Sequence, residues 1–451
     1  MTSQTNGEKP LSSWKEIAAY LGCDRRTCMR WERDSGLPVH RAGKLSRSHI
    51  FAYRSELEKW LRSRTDQAST DTTQPQARPA RRSSLPLVIF ALTIVLALAG
   101  YGLLQVLARP GQPSDFKVEE SRLIVLDDHG RELWRFETGL KDLANEAYYR
   151  NHFQRRRQLP NSSARAFPQL VIEDINEDRN REVLFAPTGE SSLGERLLCF
   201  DHRGRQLWTF AAKREMTFGR ERLAPLFSII SVEFVPGKAP GQAKVVVICN
   251  HYPLFPSYVS VLSVEGKPLG EFWNSGRLGD HTFLDMNSDG KTEMLLVGTN
   301  NEYTQGCLVV LDLDDVRGGS PQTGSYRAAD LSPGTEMYYL LFPRTVVDKL
   351  EAPREIVANI DAPAAGLILA VSEYTVLSYR LNSRLIVEDV TISDAYREKY
   401  ARYQSTGKIP PGRLDETALR DELMKGVKYF DGEGWTATPT PNRIWIDSGT
   451  K

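Results

Sequence analysis

The sequence predicts a multidomain chain of three unlike parts: a small, mainly helical head, one transmembrane helix, and a large all-β body outside the cytoplasm. Three observations carry this expectation. Residues 83–108 form an uncharged, mostly apolar run, the charge is divided unevenly on either side of it, and strand, glycine turn, strand patterns recur in the second part. The 451 residues hold 58 Lys+Arg against 57 Asp+Glu, a net charge of +1. That balance conceals an asymmetry. Residues 1–65 carry 13 basic and 7 acidic side chains and residues 66–110 carry 4 and 2, which leaves residues 111–451 at −7. A cationic head suits an anionic partner.

The head occupies residues 11–62, after a disordered N-terminus over 1–10. Ser13 and Glu16 form a capping-box pattern before a helix in which Trp14, Ile17, Ala18 and Leu21 share a face, and Gly22 stops it. Asp24 is placed to cap a second helix with Cys28 and Trp31 inward and Arg25, Arg26 and Arg30 outward. Two short helices about a tight turn, the second one basic, make a helix-turn-helix. From Gly36 to Tyr53 the helical period breaks, and apolar ends around a basic, small-residue middle predict a β-hairpin wing. Ser55 is then placed to cap a third helix with Leu57, Trp60 and Leu61 on one face.

At Glu16-Ile17-Ala18, Leu21-Gly22, Arg26-Thr27, Trp31-Glu32, Gly36-Leu37-Pro38 and Glu56-Leu57 with Trp60-Leu61, the head resembles the MerR and excisionase class of winged helix-turn-helix domains. The resemblance covers about one ninth of the chain. It implies a second helix in the major groove of double-stranded DNA, with Arg26, Thr27 and Arg30 at bases or phosphates, Arg25 beside them, and Arg41, Lys44 and Arg47 serving from the wing. Lys and Arg on phosphates supply affinity, and a bidentate Arg on guanine supplies sequence choice. The long dimerising helix usual in MerR regulators is missing, so a homodimer is expected to form through the span, the body or the operator. The competing reading makes the head a protein-interaction module on a membrane-anchored binding or adhesion propeller.

Residues 63–82 are poor in apolar side chains and rich in Thr, Gln, Pro and Arg, which predicts a disordered linker spanning about 25 Å on average. Leu85 to Ala108 then supplies 24 residues, about 36 Å of helix, enough to cross a hydrocarbon core with some tilt. Arg78, Arg81 and Arg82 precede the run, whereas Arg109 alone follows it before Lys117. Positive charge on the inner side predicts a single-pass protein of the bacterial inner membrane, with a cytoplasmic N-terminus and a periplasmic C-terminal domain.

The body, residues 115–451, contains two matching acidic loops. Asp174, Asn176, Asp178 and Glu182 in the first, and Asp285, Asn287, Asp289 and Glu293 in the second, put oxygen side chains at positions 1, 3, 5 and 9, with Asn180 and Lys291 between the last two. A hard cation such as Ca²⁺ takes six to eight oxygens, and alternate residues of a tight loop converge on one. Position 12 is Phe185 or Leu296 instead of Glu, which excludes an EF-hand. The spacing is similar to the calcium loops of FG-GAP and VCBS β-propeller repeats, which implies structural Ca²⁺.

Each loop begins 27 residues before another aspartate, Asp201 or Asp312, with apolar strands between. A second signature, Asp127, Gly130, Arg131, Leu133, Trp134 and Phe136, recurs as Asp201, Gly204, Arg205, Leu207, Trp208 and Phe210, with weaker echoes over 261–272 and 376–387. Self-similarity of this kind predicts a propeller-like ectodomain, closed by pairing of Arg443–Ile446 with Leu123–Leu126. The five cysteines show neither CxxC nor zinc spacing and read as small core residues. No nucleophile elbow, HExxH or phosphate-cradling glycine loop occurs, so no enzyme is expected. The function predicted is a membrane-anchored one-component transcriptional regulator whose external body senses an unidentified ligand or protein.

Overall fold

The computed structural model describes residues 9–42, 49–67, 111–150, 167–189, 194–239, 241–252, 255–328, 330–364 and 366–448. The chain divides into two compact units, Met1–Leu107 and Ala108–Lys451.

In the first unit, helix α1 runs over Trp14–Leu21 and α2 over Arg25–Ser35. Strands β1 (His40–Ala42) and β2 (His49–Phe51) pair antiparallel, and α3 covers Arg54–Gln67, five residues into the expected linker. The helix ends follow local chemistry. The Ser13 hydroxyl accepts the Glu16 amide, while the Glu16 carboxylate reaches the Ser12 amide at 2.9 Å. Gly22 and Gly36 close α1 and α2 in the left-handed conformation that glycine adopts at least cost. Ser55 lies inside the first turn of α3, because the carbonyl of Tyr53 starts that helix. Leu11, Ile17, Ala18, Cys28, Leu37, Ala52 and Leu57 form the core of the unit.

The second unit is a multi-sheet β fold, and every pairing between its strands is antiparallel. β3 (Asp115–Glu119), β4 (Arg122–Leu126) and β5 (Glu132–Glu137) make a three-stranded sheet. β6 (Leu170–Glu173), β7 (Glu182–Phe185), β8 (Arg196–Phe200) and β9 (Gln206–Ala211) make the second. A short ribbon follows, β10 (Met216–Phe218) with β11 (Glu221–Leu223). The third sheet is β12 (Phe227–Val235), β13 (Lys244–His251), β14 (Ser257–Ser263) and β15 (Pro268–Asn274). β16 (Leu278–Leu284), β17 (Glu293–Asn300), β18 (Gln305–Asp312) and β19 (Tyr338–Leu341) begin the fourth. After helix α4 (Val346–Glu351), the fifth sheet comprises β20 (Val357–Ala364), β21 (Leu367–Ser372), β22 (Ser378–Asn382) and β23 (Val387–Thr391). Helices α5 (Asp394–Ser405) and α6 (Glu416–Gly426) follow. The chain then returns through β24 (Lys428–Phe430) and β25 (Trp435–Thr436), which extend the fourth sheet, and ends in α7 (Arg443–Ser448).

Alternate residues of the middle strands feed alternate cores. Val183 and Phe185 of β7 face the core shared with the first sheet, whereas Leu184 faces the core shared with the third. Met294 and Leu296 of β17 pack toward the third sheet and Leu295 and Val297 toward the fifth. A strand buried on both faces has to be apolar throughout, hence the unbroken runs in the sequence. Four cores therefore join five sheets in series.

The closed propeller expected from the repeats is not what the chain forms. Among the described residues no strand of the fifth sheet pairs with the first. β21 alternates between buried and half-exposed residues, as a sheet at the end of a series does. Arg443–Ile446 is the start of α7 instead of a closing strand, since the Asn442 side chain accepts the Ile444 amide at 3.0 Å and caps it. Its intended partner β4 is already paired on both edges by β3 and β5. The outer edge of β3 is capped too: Glu146 accepts the Val118 amide and Arg150 donates to the Phe116 carbonyl. Such capping blunts an edge strand against further pairing.

The transmembrane helix is a second correction to the expected architecture. Among the described residues no helix is long and apolar enough to cross a membrane, and the run 83–108 that prompted the expectation lies outside the described residues, as do 1–8 and 68–82.

Candidate nucleic-acid interface and cation loops

The geometry of α2 begins at its cap. Asp24 accepts the Thr27 amide at 3.0 Å and the Thr27 hydroxyl at 2.7 Å, and the hydroxyl contact above all holds the Asp24 carboxyl below its usual range. Cys28 is fully buried, and Trp31 lies 5.7 Å from Trp60, whose indole nitrogen donates to the Ser35 carbonyl at 3.0 Å. One face of α2 is thereby fixed to α1 and α3. On the opposite face Arg25, Arg26 and Arg30 are exposed, and among the described residues none of the three has an acidic partner.

The predicted contact residues are not equivalent. Thr27 is half-buried, with its hydroxyl committed to the cap. Arg41, on β1, is tied across to Glu32 of α2 at 2.9 and 3.1 Å. Lys44 and Arg47 lie outside the described residues. Met29 and Arg33 are exposed beside the arginines and escaped the sequence reading, although Met29 stands three residues from Arg26 and Arg33 three from Arg30.

The two acidic loops share a backbone as well as a residue pattern. Position 4 is left-handed in both, at Glu177 (φ 61°) and Ser288 (φ 58°), and so is position 6, at Arg179 (φ 71°) and Gly290 (φ 80°). The turns are held by side-chain oxygens accepting backbone amides. Asp174 takes the Asp178 and Arg179 amides at 3.1 and 2.9 Å, and Asn176 and Asp178 take the amides two residues on. In the second loop Asn287 takes the Asp289 amide at 3.0 Å and Asp289 takes the Lys291 amide at 2.6 Å. Glu182 and Glu293 lie beneath their loops, buried, accepting the amides of Ile175 and Met286. Burial, opposed by those amide contacts and reinforced by the neighbouring aspartates, pushes both carboxyls up to about 7.

Neither loop brings three of its carboxylate oxygens within 4.8 Å of one another; among the described residues three potential ligand atoms come that close at Asp127, Asp128 and His129, two carboxylates and an imidazole. The Asn180 side-chain oxygen accepts from Gln112 at 2.9 Å, and the Lys291 ammonium, which has no lone pair to give a cation, pairs with Asp314 at 2.8 Å. The oxygen-rich donor set fits a hard cation in type, with Asp174, Asn176, Asp178 and Glu182 in one loop and Asp285, Asn287, Asp289 and Glu293 in the other.

The repeated hairpin signature acquires a physical meaning. Asp127 and Asp201 accept the amides two and four residues on, and each also binds the arginine at the fourth. The tryptophan of each hairpin lies on the turn glycine of the next sheet. A Cβ on Gly204 would stand 2.7 Å from the Trp134 ring, and one on Gly266 would stand 2.5 Å from the Trp208 ring. In the third hairpin the tryptophan position is Gly270, and the Val316 carbonyl fills the space of the missing side chain. That is why the signature fades after the second copy.

No protein-family model matches this chain, and no curated protein matches it either.

Proposed function

We propose that the chain is a one-component transcriptional regulator whose head binds double-stranded DNA and whose β body receives a ligand or protein signal. The observation that carries the reading is the exposed face of Arg25, Arg26 and Arg30, unpaired among the described residues, on a helix whose other face is locked into a core. Guanidinium groups presented without acidic partners suit phosphates and guanine edges. The pairing of Arg41 with Glu32 gives the hairpin a smaller part, because that charge is already compensated.

The test is binding of the full chain, in detergent micelles, to genomic DNA fragments recovered by selection. Expected is sequence-selective binding whose log affinity falls linearly with log salt, by about 0.9 per phosphate contact. No salt-sensitive binding to any fragment would remove the regulator reading and favour a head that binds protein. We further propose that the head lies in the cytoplasm and the body outside it, a placement supported by the division of charge between cationic residues 1–65 and residues 111–451 at −7. Protease added to spheroplasts should then digest the body and spare the head.

We also propose that the acidic loops take Ca²⁺, which would tie each tight turn to the buried glutamate below it. Ca²⁺ at about 100 times its Kd stabilises by about 2.7 kcal/mol, so the melting temperature should rise on adding Ca²⁺ and fall with a chelator. Asp285→Ala should abolish the share of the second loop. The effect has a pH sign. Because Glu182 and Glu293 are raised to about 7 from 4.5, protonation favours the fold at low pH, and that advantage is lost as pH rises toward 7. Ca²⁺ competes with those protons, so its stabilisation should grow between pH 5 and 7. A melting temperature indifferent to Ca²⁺ across that range would refute the assignment.

A further inference from the structure

Cys23 and Cys28 are the two cysteines of the head, and their sulfurs stand 3.1 Å apart. Cys23 follows the left-handed Gly22 in the turn between α1 and α2 and is half-exposed; Cys28 is wholly buried in the first half of α2. The residues between them include the Asp24 cap and Arg25 and Arg26 of the proposed DNA face. A disulfide sulfur pair stands at about 2.05 Å, so joining these two requires an approach of about 1 Å. Cys199, Cys249 and Cys307 of the body, by contrast, are each fully buried in a strand.

We propose that Cys23 and Cys28 are a thiol modification site, oxidised by a hydroperoxide to a disulfide that repositions α2 and loosens the grip of the head on DNA. The DNA part rests on the reading above; the disulfide does not. The Cys23 thiolate attacks one peroxide oxygen, the O–O bond breaks, and the departing alkoxide or hydroxide takes a proton, leaving Cys23 as a sulfenic acid. The Cys28 sulfur then attacks the Cys23 sulfur, the S–O bond breaks, and the oxygen leaves as water with the Cys28 proton. Two thiols and one hydroperoxide thus give one disulfide, one alcohol or water, and one further water. The order follows from the environments. Burial, and then the contact with Cys23, push the Cys28 thiol up to about 12, so the half-exposed Cys23 meets the oxidant and Cys28 resolves it. A small dithiol reverses the reaction by exchange. In the reducing compartment assigned to the head, disulfides are characteristically transient and redox-sensing.

The mechanical consequence is local. α2 is pinned at its start by the Asp24 cap and along its inner face by Cys28 and Trp31. Drawing Cys28 toward the turn shifts the first turn of α2, and with it Arg25 and Arg26, relative to Arg41 on β1. Recognition by paired side chains tolerates about 0.5 Å of displacement, so a shift of α2 by about half of the sulfurs' approach is enough to disturb it.

The experiment exposes the full chain in micelles to a few equivalents of hydrogen peroxide, followed by trypsin without reductant. Cleavage at Arg25 and Arg26 separates the two cysteines, so only a disulfide keeps their peptides together. Expected are the linked peptide, its disappearance with dithiothreitol, altered amide exchange across residues 22–35, and a fall in DNA affinity of about tenfold or more. Cys23→Ser should lose all four responses while keeping its DNA affinity in the reduced state. Absence of the linked peptide, or linkage to a cysteine of the body, overturns the proposal. A linked peptide with unchanged exchange and unchanged DNA affinity overturns the switch. A linked peptide with altered exchange in a chain that binds no DNA in either state upholds the thiol site and instead refutes the regulator reading.

Discussion

Replacing Arg26 and Arg30 together by alanine is expected, with the head binding DNA as proposed, to lower the affinity of the full chain for a selected DNA site by about 2–6 kcal/mol, roughly 30-fold to 10⁴-fold, with the fold intact. The range follows from about 1–3 kcal/mol for each bidentate arginine on a base edge. If the two side chains hold phosphates instead, the loss is spread evenly over sequences and the salt slope falls by about two. Anisotropy titrations at several salt concentrations separate the cases. Both residues are exposed and outside the core of the unit, so the far-ultraviolet dichroism of the variant should match the parent. Arg41→Ala should cost far less, since Glu32 already holds that guanidinium. Binding left unchanged by the double substitution would show that α2 is not the reading element.

Glu336→Met will flatten the pH dependence of stability of the body and raise its melting temperature above pH 8. Glu336 has no exposed surface, neither carboxylate oxygen finds a hydrogen-bond partner among the described residues, and burial pushes its pKa up to about 8 from 4.5. A carboxyl raised in the folded state binds its proton more tightly there than in the unfolded chain. The fold therefore has this advantage in full below pH 4.5 and loses it as pH climbs to 8. At about 1.36 kcal/mol per pH unit the loss is of order 4–5 kcal/mol. Methionine fills a similar volume without a charge to bury. Thermal melts from pH 5 to 9 should show the variant close to the parent at the acid end and above it at the alkaline end. Glu355, pushed by burial and then by Asp348 up to about 9, retains a slope of the same sign in the variant. Parallel pH profiles for parent and variant would mean that Glu336 is not the proton-linked group.

Much of the local structure was legible because short-range chemistry decides it. Ser13, Gly22, Asp24 and Gly36 act within one helical turn, and Gly130 and Gly204 each supply the left-handed residue of a tight hairpin. What could not be read depends on partners remote in sequence. Arg443–Ile446 has the composition of a strand, and six residues are too few for periodicity to distinguish strand from helix; the Asn442 cap decides it. The blocked β3 edge depends on Glu146 and Arg150, some 30 residues away. The loop signal at positions 1, 3, 5 and 9 was visible as oxygen chemistry, but the left-handed backbone at Glu177 and Arg179 was hidden, because neither residue type announces it. At the head, charge counting found the arginines and missed that Glu32 had already claimed Arg41.

The tryptophans lying on turn glycines have a mechanical side. The body is entered from its first sheet, where residue 111 leads into β3, so tension on the chain from the head is applied there first. Along that path Trp134 is seated on Gly204 and then Trp208 on Gly266, where the indole nitrogen of Trp208 adds a bond to the Val264 carbonyl at 2.8 Å. Trp134 has no such bond, its buried indole nitrogen being without a partner among the described residues. Of the two tryptophan seats, that of Trp134 therefore lacks the indole hydrogen bond that Trp208 makes, and the load at that joint falls on the bonds of Gln112 to Asn180 and of Ala144 and Tyr149 to Thr188.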